Sequence, residues 1–443
     1  MNKWIALSAI VVLFLFDSAQ AQDSGKLKDS ILQAASLETC VQYALQHKPL
    51  VQQSLLDEQA TEYAIKGKLA DWYPQVGLDY NLQRNFQLPT SYLGGNYVQP
   101  GTLYTSLGQF SVSQNIFNKD LLLANRSATE VRKQAKQSLE SNKIEVTVTV
   151  SKAFYDVLLT QKQIELSNDD IIRLETSFKN AFSQYKNGIV DKIDYKRASI
   201  SLNNAKAELK SQQELLKTKV SYLKNAMGYT AENSFALQYD TLQMEKELVF
   251  DTLQTINYSN RIEYKQLETA KRLQEYNLQY TKWSYYPSVS AFGSYAFDYL
   301  SGDLSKLYGK NYPFSYAGVK FNLPIFQGNK RVYQTKSAEL AIKRVDWDLL
   351  QLRSSISTQY TQAMSAYKAN LNDYLALKEN LSLAKEVYNT IQLQYKAGIK
   401  NYLEVITAET DLRSAQVNYT NALYQVLASK IDVQQALGVI SYQ

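Results

Sequence analysis

Apolar and polar residues mix in a broad pattern, without a strict seam, along two stretches of roughly 70 residues that hold no Gly or Pro, as in long helices. One runs from Phe117 to Asn187, the other from Asn329 to Ala397. As single helices they would measure about 105 Å and about 100 Å at 1.5 Å per residue. Each is followed by a shorter run, Ile189 to Met227 and Ile399 to Leu437, of about 58 Å. In the last run Tyr402, Val405, Ile406, Leu412, Leu423, Val426, Leu427 and Ile431 form a broad apolar stripe, with Gln416, Asn418, Asn421 and Gln425 between. Each half carries one more helical segment, about Pro49 to Trp72 and about Asn260 to Ser284, of roughly 36–38 Å. Short plus short nearly equals long. The economical arrangement stacks two short helices end to end beside each long one. The outward amides and hydroxyls fit a wet lumen or an ordinary solvated coiled-coil face.

Between the helices the period changes to two. Val76, Leu78, Tyr80 and Leu82 alternate with Gly77, Asp79, Asn81 and Gln83, and Phe110, Val112, Gln114 and Ile116 with Ser111, Ser113 and Asn115. In the second half Val289, Ala291, Gly293, Tyr295, Phe297 and Tyr299 form one face, and Val319, Phe321, Leu323 and Ile325 alternate with Gly318, Lys320 and Asn322. These are strands with one apolar and one polar face, about 75–117 and about 288–326, long enough to cross a bilayer at barrel tilt, which takes about 9–11 residues. Tyrosines crowd the strands and their ends, as interfacial aromatic belts require. Four strands cannot close a barrel, and open edges are forbidden in lipid. Several chains must pool hairpins, and dimers of eight strands or trimers of twelve both satisfy the physics.

The pattern is written twice. Tyr185-Lys186-Asn187-Gly188-Ile189 and Tyr395-Lys396-Ala397-Gly398-Ile399 stand 210 positions apart, as do Gly228 and Gly438. Gly188 and Gly398 suit left-handed C-caps that end the long helices.

Composition narrows the function. The chain opens on a basic tip and a short apolar run, Ile5 to Phe16, followed by Ala19-Gln20-Ala21, which predicts a secretory signal at 1–21 and Gln22 as the mature start. Formal charge is +6 with both signs interspersed, so no nucleic-acid partner is implied. A single cysteine, Cys40, excludes an internal disulfide and a cysteine-cluster metal site. With His47 the only histidine, catalysis, cofactor and metal binding have no candidate residues.

These features together resemble the TolC-type outer-membrane efflux family over nearly the whole mature chain. The residues that carry the likeness are the duplicated Tyr-x-x-Gly tips, the helix ends Ala226-Met227-Gly228 and Ala436-Leu437-Gly438, the strand starts Tyr73-Pro74-Gln75-Val76 and Tyr286-Pro287-Ser288-Val289, and the exits Asn115-Ile116-Phe117 and Pro324-Ile325-Phe326. The resemblance implies a mixed, mainly α fold with internal duplication. Long antiparallel coiled-coil helices form a periplasmic α-barrel, and four transmembrane β-strands per chain contribute to a trimeric 12-stranded β-barrel. It divides the chain into the signal (1–21), a first repeat (22–230), a linker or equatorial region (231–250) and a second repeat (251–443). The implied partners of the homotrimer are outer-membrane lipid, a periplasmic adaptor and an inner-membrane transporter of RND or ABC type. The duct would extend from the outer membrane of a Gram-negative bacterium into the periplasm, conducting drugs or other small molecules passively.

The tip residues follow from the resemblance. Asp194 and Glu404, sixth after each tip Gly, would form an acidic ring in three copies, and such rings favour cations. Thr407 replaces the family's second acid. Lys400 takes the family's basic tip position and is expected to pair with Asp194 and, with Tyr395, to hold the tips closed. Tyr185, Gly188, Asp191 and Gly398 complete the gate candidates. Two alternatives stand: a duct for type I protein secretion, and a periplasmic coiled-coil adaptor, which would show one hairpin flanked by soluble β domains.

Overall fold

The computed structural model describes residues 34–189, 191–238, 241–248, 250–251 and 254–441; the signal segment at 1–21 lies outside them. The long helices are α3 (Lys119–Lys186, 68 residues) and α7 (Lys330–Lys396, 67 residues). Each is followed by a 36-residue partner, α4 (Lys192–Met227) and α8 (Tyr402–Leu437). The upper helices α2 (Pro49–Ala70) and α6 (Ile262–Trp283) have 22 residues each. A further helix, α1 (Leu37–His47), has no counterpart in the sequence reading, nor does α5 (Thr241–Glu247) in the linker.

The expected end-to-end stacking is present. Along α3, Arg132 meets Glu62 of α2 at 2.5 Å, while Asp156 and Glu175 meet Lys219 and Lys206 of α4 at 2.8 and 2.9 Å. Along α7, Asp346 meets Lys271 of α6 at 2.7 Å, and Asn370 donates to the Gln425 carbonyl of α8 at 3.3 Å.

Glycine makes the joints possible. Gly228 closes α4 at φ 70°, and a Cβ there would lie 2.9 Å from the Lys48 Cα at the start of α2. Gly438 closes α8 at φ 71°, and its Cβ would lie 2.9 Å from the Asn260 carbonyl carbon just before α6. Both ends are Schellman caps, with Tyr229 N–H donating to the Lys224 carbonyl and Val439 N–H to the Gln434 carbonyl. A cation from the upper helix then covers carbonyls of the lower one. Lys48 Nζ donates to the Asn225 carbonyl at 2.6 Å, and Arg261 Nη1 to the Gln435 and Ala436 carbonyls at 3.2 Å, complementing the negative end of each helix dipole.

The sheet runs β2 (Gln75–Arg84), β5 (Tyr104–Phe117), β7 (Ser288–Ser301), β8 (Phe314–Asn322), all antiparallel, with β2 and β8 as free edges. Register places Leu78, Phe110 and Tyr295 side by side on one face, and Asp79, Gln109 and Ala296 on the other. Among the described residues most of the apolar face is uncovered, with Leu78 61% and Val319 65% exposed; at one end Tyr308 packs on Tyr299 and meets the Tyr80 hydroxyl at 2.8 Å. The last strand ends at Asn322 rather than near 326. Pro324 lacks the N–H a ladder position needs, so Leu323–Phe326 leaves the sheet despite its alternation.

A small hairpin, β3 (Ser91–Leu93) with β4 (Asn96–Val98), fills the first loop. At the equator a two-residue parallel pair, β1 (Ala34–Ala35) with β6 (Ala236–Leu237), joins the start of the described chain to the linker. The main core lies there too, gathering Val150, Phe154, Val157 and Leu158 of α3 with Leu223, Met227, Tyr367, Val426 and Val433. Linker carboxylates are tied into it: Glu245 accepts from Lys378 at 2.8 Å and Tyr419 at 2.5 Å, and Glu247 from Tyr155 at 3.0 Å. Cys40 is buried in the same core, which pushes its thiol up to about 12. Among the described residues no helix is long and apolar enough to cross a membrane.

Candidate functional site: the helical tips

Both long helices end on the same turn. Gly188 (φ 73°) and Gly398 (φ 75°) donate to the Tyr185 and Tyr395 carbonyls at 3.0 Å, and Ile189 and Ile399 to the Gln184 and Gln394 carbonyls at 2.9 Å. These left-handed caps are the ones the two Tyr-x-x-Gly sequences predict. The next helices start on different caps: Asp191 accepts from Ile193 N–H at 3.2 Å, and Asn401 from Glu404 N–H at 3.1 Å.

Four helices meet just above the turns. Ala181 of α3, Ala198 of α4, and Tyr402 and Val405 of α8 form a buried cluster, with Tyr395 of α7 against it. The two tip tyrosines then part company. Tyr395 is half-buried, and its Oη donates to Gln184 Oε1 across to the first hairpin at 3.0 Å. Burial, and then the charge of Asp194, pushes its phenol above the usual range, partly offset by the Gln184 bond. Tyr185 is exposed and packs its ring 4.9 Å from Tyr195 within its own hairpin. Of the two tip tyrosines, Tyr395 is the one that bonds across to the other repeat.

Lys400 does not take the expected partner in the chain. Its Nζ lies 2.6 Å from Glu404 Oε2, one turn on along its own helix. Adjacent turns place residues i and i+4 together, a closer partner than Asp194 on the other hairpin. The two acids sixth after each glycine are therefore unequal: Glu404 carries its own cation, and Asp194, half-buried, does not share it.

One charged group escaped the sequence reading. Glu409 of α8 is 6% exposed, with Arg173 Nε of α3 at 3.8 Å, and Arg173 also holds buried Asp170 one turn away. Among the described residues Glu409 Oε1 and Arg173 Nε have no hydrogen-bond partner. Burial raises the Glu409 carboxyl above the ordinary range, with Arg173 and Arg413 opposing. Asp170 and Arg173, three apart, read as a solvated pair in sequence; only the meeting of α3 and α8 makes them interior. The one available signal was asymmetry, since the position matching Glu409 in the first repeat is Ser199.

Two stretches, residues 40–229 and 259–439, match the family model described as outer membrane efflux protein. The outer membrane protein TolC of Vibrio cholerae is 20% identical over 424 residues, covering 94% of this chain and 93% of that protein. The alkaline protease secretion protein AprF of Pseudomonas aeruginosa is 19% identical over 406 residues, covering 90% and 83%. The crystal structure of the outer membrane protein VceC of Vibrio cholerae superposes with a TM-score of 0.72 at 14% identity, over 91% of this chain and 96% of that one. With duplicated rods, capped tips and the paired hairpins all accounted for by one fold, the chain belongs to the outer membrane efflux protein family.

Proposed function

We propose that the chain is one protomer of a homotrimeric outer-membrane channel-tunnel. In it a 12-stranded barrel continues as a helical tube toward an inner-membrane transporter of RND or ABC type and a periplasmic adaptor. The observation that carries this reading is a four-stranded sheet of membrane length, apolar on one face, largely uncovered there and open at both edges. Lipid satisfies the face, and only neighbouring copies satisfy the edges.

The helices support the same assembly. The outer columns expose large apolar residues, and some of these stand seven positions apart: Leu56 and Tyr63 on α2, Ile193 and Ile200, then Leu215 and Tyr222, on α4, and Tyr333, Leu340 and Trp347 on α7. Sevenfold spacing is the seam of a coiled coil. The seam on α2 and α4 belongs to one side of the chain and that on α7 to the other. Contact between them is head-to-tail, the kind that forms a ring where the rotation closes.

Within the ring, 22–230 and 251–443 act as repeats about the 231–250 linker. Tyr185, Gly188, Asp191, Asp194, Tyr395, Gly398, Lys400 and Glu404 line the narrow end. Cargo is small molecules in this reading. The name of AprF favours one second reading, the duct of a protein secretion system, since the transporter decides the cargo. Purified protein in a planar bilayer of neutral lipid tests the proposal: discrete, long-lived pores are expected, and a water-soluble monomer without conductance overturns it.

A further inference from the structure

The helix ends next to the sheet and the joints that lead into it, residues 63–74, 118–127, 276–287 and 323–337, hold eight Lys or Arg and two acids. That excess equals the net charge of the entire chain, +6, so the remainder is balanced. Both acids are engaged: Asp71 takes Lys68 Nζ at 2.9 Å, and Asp120 accepts from the Tyr280 hydroxyl at 2.7 Å. Lys66, Lys68, Arg126, Lys282, Lys330 and Lys336 are exposed.

Aromatic rings organise the same plane. Lys119 sits 4.3 Å over Tyr280, Arg126 5.2 Å over Trp283 and Arg331 4.5 Å over Tyr285, at distances where the ring quadrupole attracts a cation. Ile325 and Phe326, freed from the sheet beyond β8, are 87% and 83% exposed, and Tyr73 is 70% exposed. At the opposite end of the strands the charges nearly cancel, with Arg84, Lys306 and Lys310 against Asp298 and Asp303.

We propose that this cationic collar binds anionic phospholipid head groups in the leaflet on the helical side of the bilayer, with Ile325, Phe326 and Tyr73 seated in the acyl layer. The inference rests on the outer-membrane reading and adds a lipid class to it. Cations beside an apolar anchor at a bilayer surface attract anionic lipid, each contributing a several-fold preference. Ring closure triples the charge.

The test is the lipid retained by the purified oligomer from equal phosphatidylglycerol and phosphatidylcholine of identical acyl chains, read by native mass spectrometry. The wild type is expected to enrich phosphatidylglycerol by roughly fivefold or more. The combined variant Lys66→Gln, Lys330→Gln, Lys336→Gln is expected to bring the ratio close to one, and Lys→Arg at the same positions to preserve it. No enrichment in the wild type, or enrichment surviving in the Gln variant, overturns the proposal. Excess inorganic phosphate should leave the lipid bound; displacement would mean an anion site without lipid specificity and overturn it too. Lipopolysaccharide retention should be equal in wild type and Gln variant; a loss of lipopolysaccharide in the variant as large as its loss of phosphatidylglycerol would refute the leaflet assignment. Conductance of the Gln variant in pure phosphatidylcholine should match wild type. Wild type that forms no pore there contradicts the channel reading itself, a failure distinct from lost lipid preference.

Discussion

At the equatorial joints the two repeats use the same device, and at the tips they do not. Gly228 and Gly438 both end a lower helix in the left-handed region with the next helix's backbone 2.9 Å from where a Cβ would stand. At Gly188 and Gly398 nothing lies within 4 Å, and the side chains around them have diverged. Tyr395 bridges the hairpins while Tyr185 stays at home, and Lys400 pairs with Glu404 where Asp194 has no such neighbour. Backbone crowding constrains a position without regard to charge, whereas an open turn demands only its φ. The joints fix how the helices stack, and the tips are free to specialise.

That contrast can be broken at its strongest point. Gly228→Ala or Gly438→Ala adds a Cβ against backbone as well as left-handed strain, so a loss of roughly 2–5 kcal/mol is expected, seen as a large drop in melting temperature or loss of the oligomer. Gly188→Ala or Gly398→Ala carries the strain alone, about 1–2 kcal/mol. Equal melting temperatures across the four variants would show that the joints are not tight.

A smaller effect is expected between the hairpins. Glu409 has its carboxyl raised by burial, so the folded chain binds a proton more tightly than the unfolded one. Its ionisation then costs stability above the raised value, and that cost disappears as pH falls toward the ordinary carboxylate range. Glu409→Gln is therefore expected to raise the melting temperature at neutral pH, by less than either glycine change lowers it, with the gap narrowing on acidification. A variant that melts lower than wild type at neutral pH would show that the Arg173 contact outweighs burial.

The smallest effects belong to the tip. Lys400→Ala removes the cation beside Glu404 and is expected to raise both conductance and cation selectivity; Glu404→Gln should lower selectivity, and Asp194→Ala should raise conductance. Half-exposed pairs are worth about 0–1 kcal/mol, which limits each change to roughly fivefold. Single-channel recordings unchanged in all three would remove these residues from the gate.

Much of this architecture is legible in the sequence because Gly and Pro are absent from the long helices and their 36-residue partners. Helix lengths, stacking, capped tips and strand faces follow from that spacing and from the change of period. The equator is less legible. α5 and the β1–β6 pair are too short to carry a period, and they exist because the core around Tyr155, Tyr367 and Val426 holds them. α1 was legible and was missed: Ser36 caps it, and Leu37, Cys40, Val41 and Ala44 recur at helical spacing. The end of β8 misled because alternation continues through Pro324, where hydrogen bonding stops. At the tip the residues were found but their partners were not, since sequence distance favours no particular rotamer. Glu409 was invisible because its burial depends on a neighbouring helix more than 230 residues earlier.

The central claim is that open sheet edges are closed by neighbouring copies. In one chain β2 and β8 are separated by two intervening strands, about 14 Å at the usual strand spacing, beyond the roughly 7 Å limit between the Cα atoms of a disulfide. Asn81→Cys combined in turn with Tyr316→Cys, Gly318→Cys or Lys320→Cys places thiols on the same face of the two edges. The account predicts that oxidation of at least one pair gives covalent dimers and trimers and no larger species. A ladder that stops at dimer, or folded protein that never crosslinks across the three registers, would contradict it.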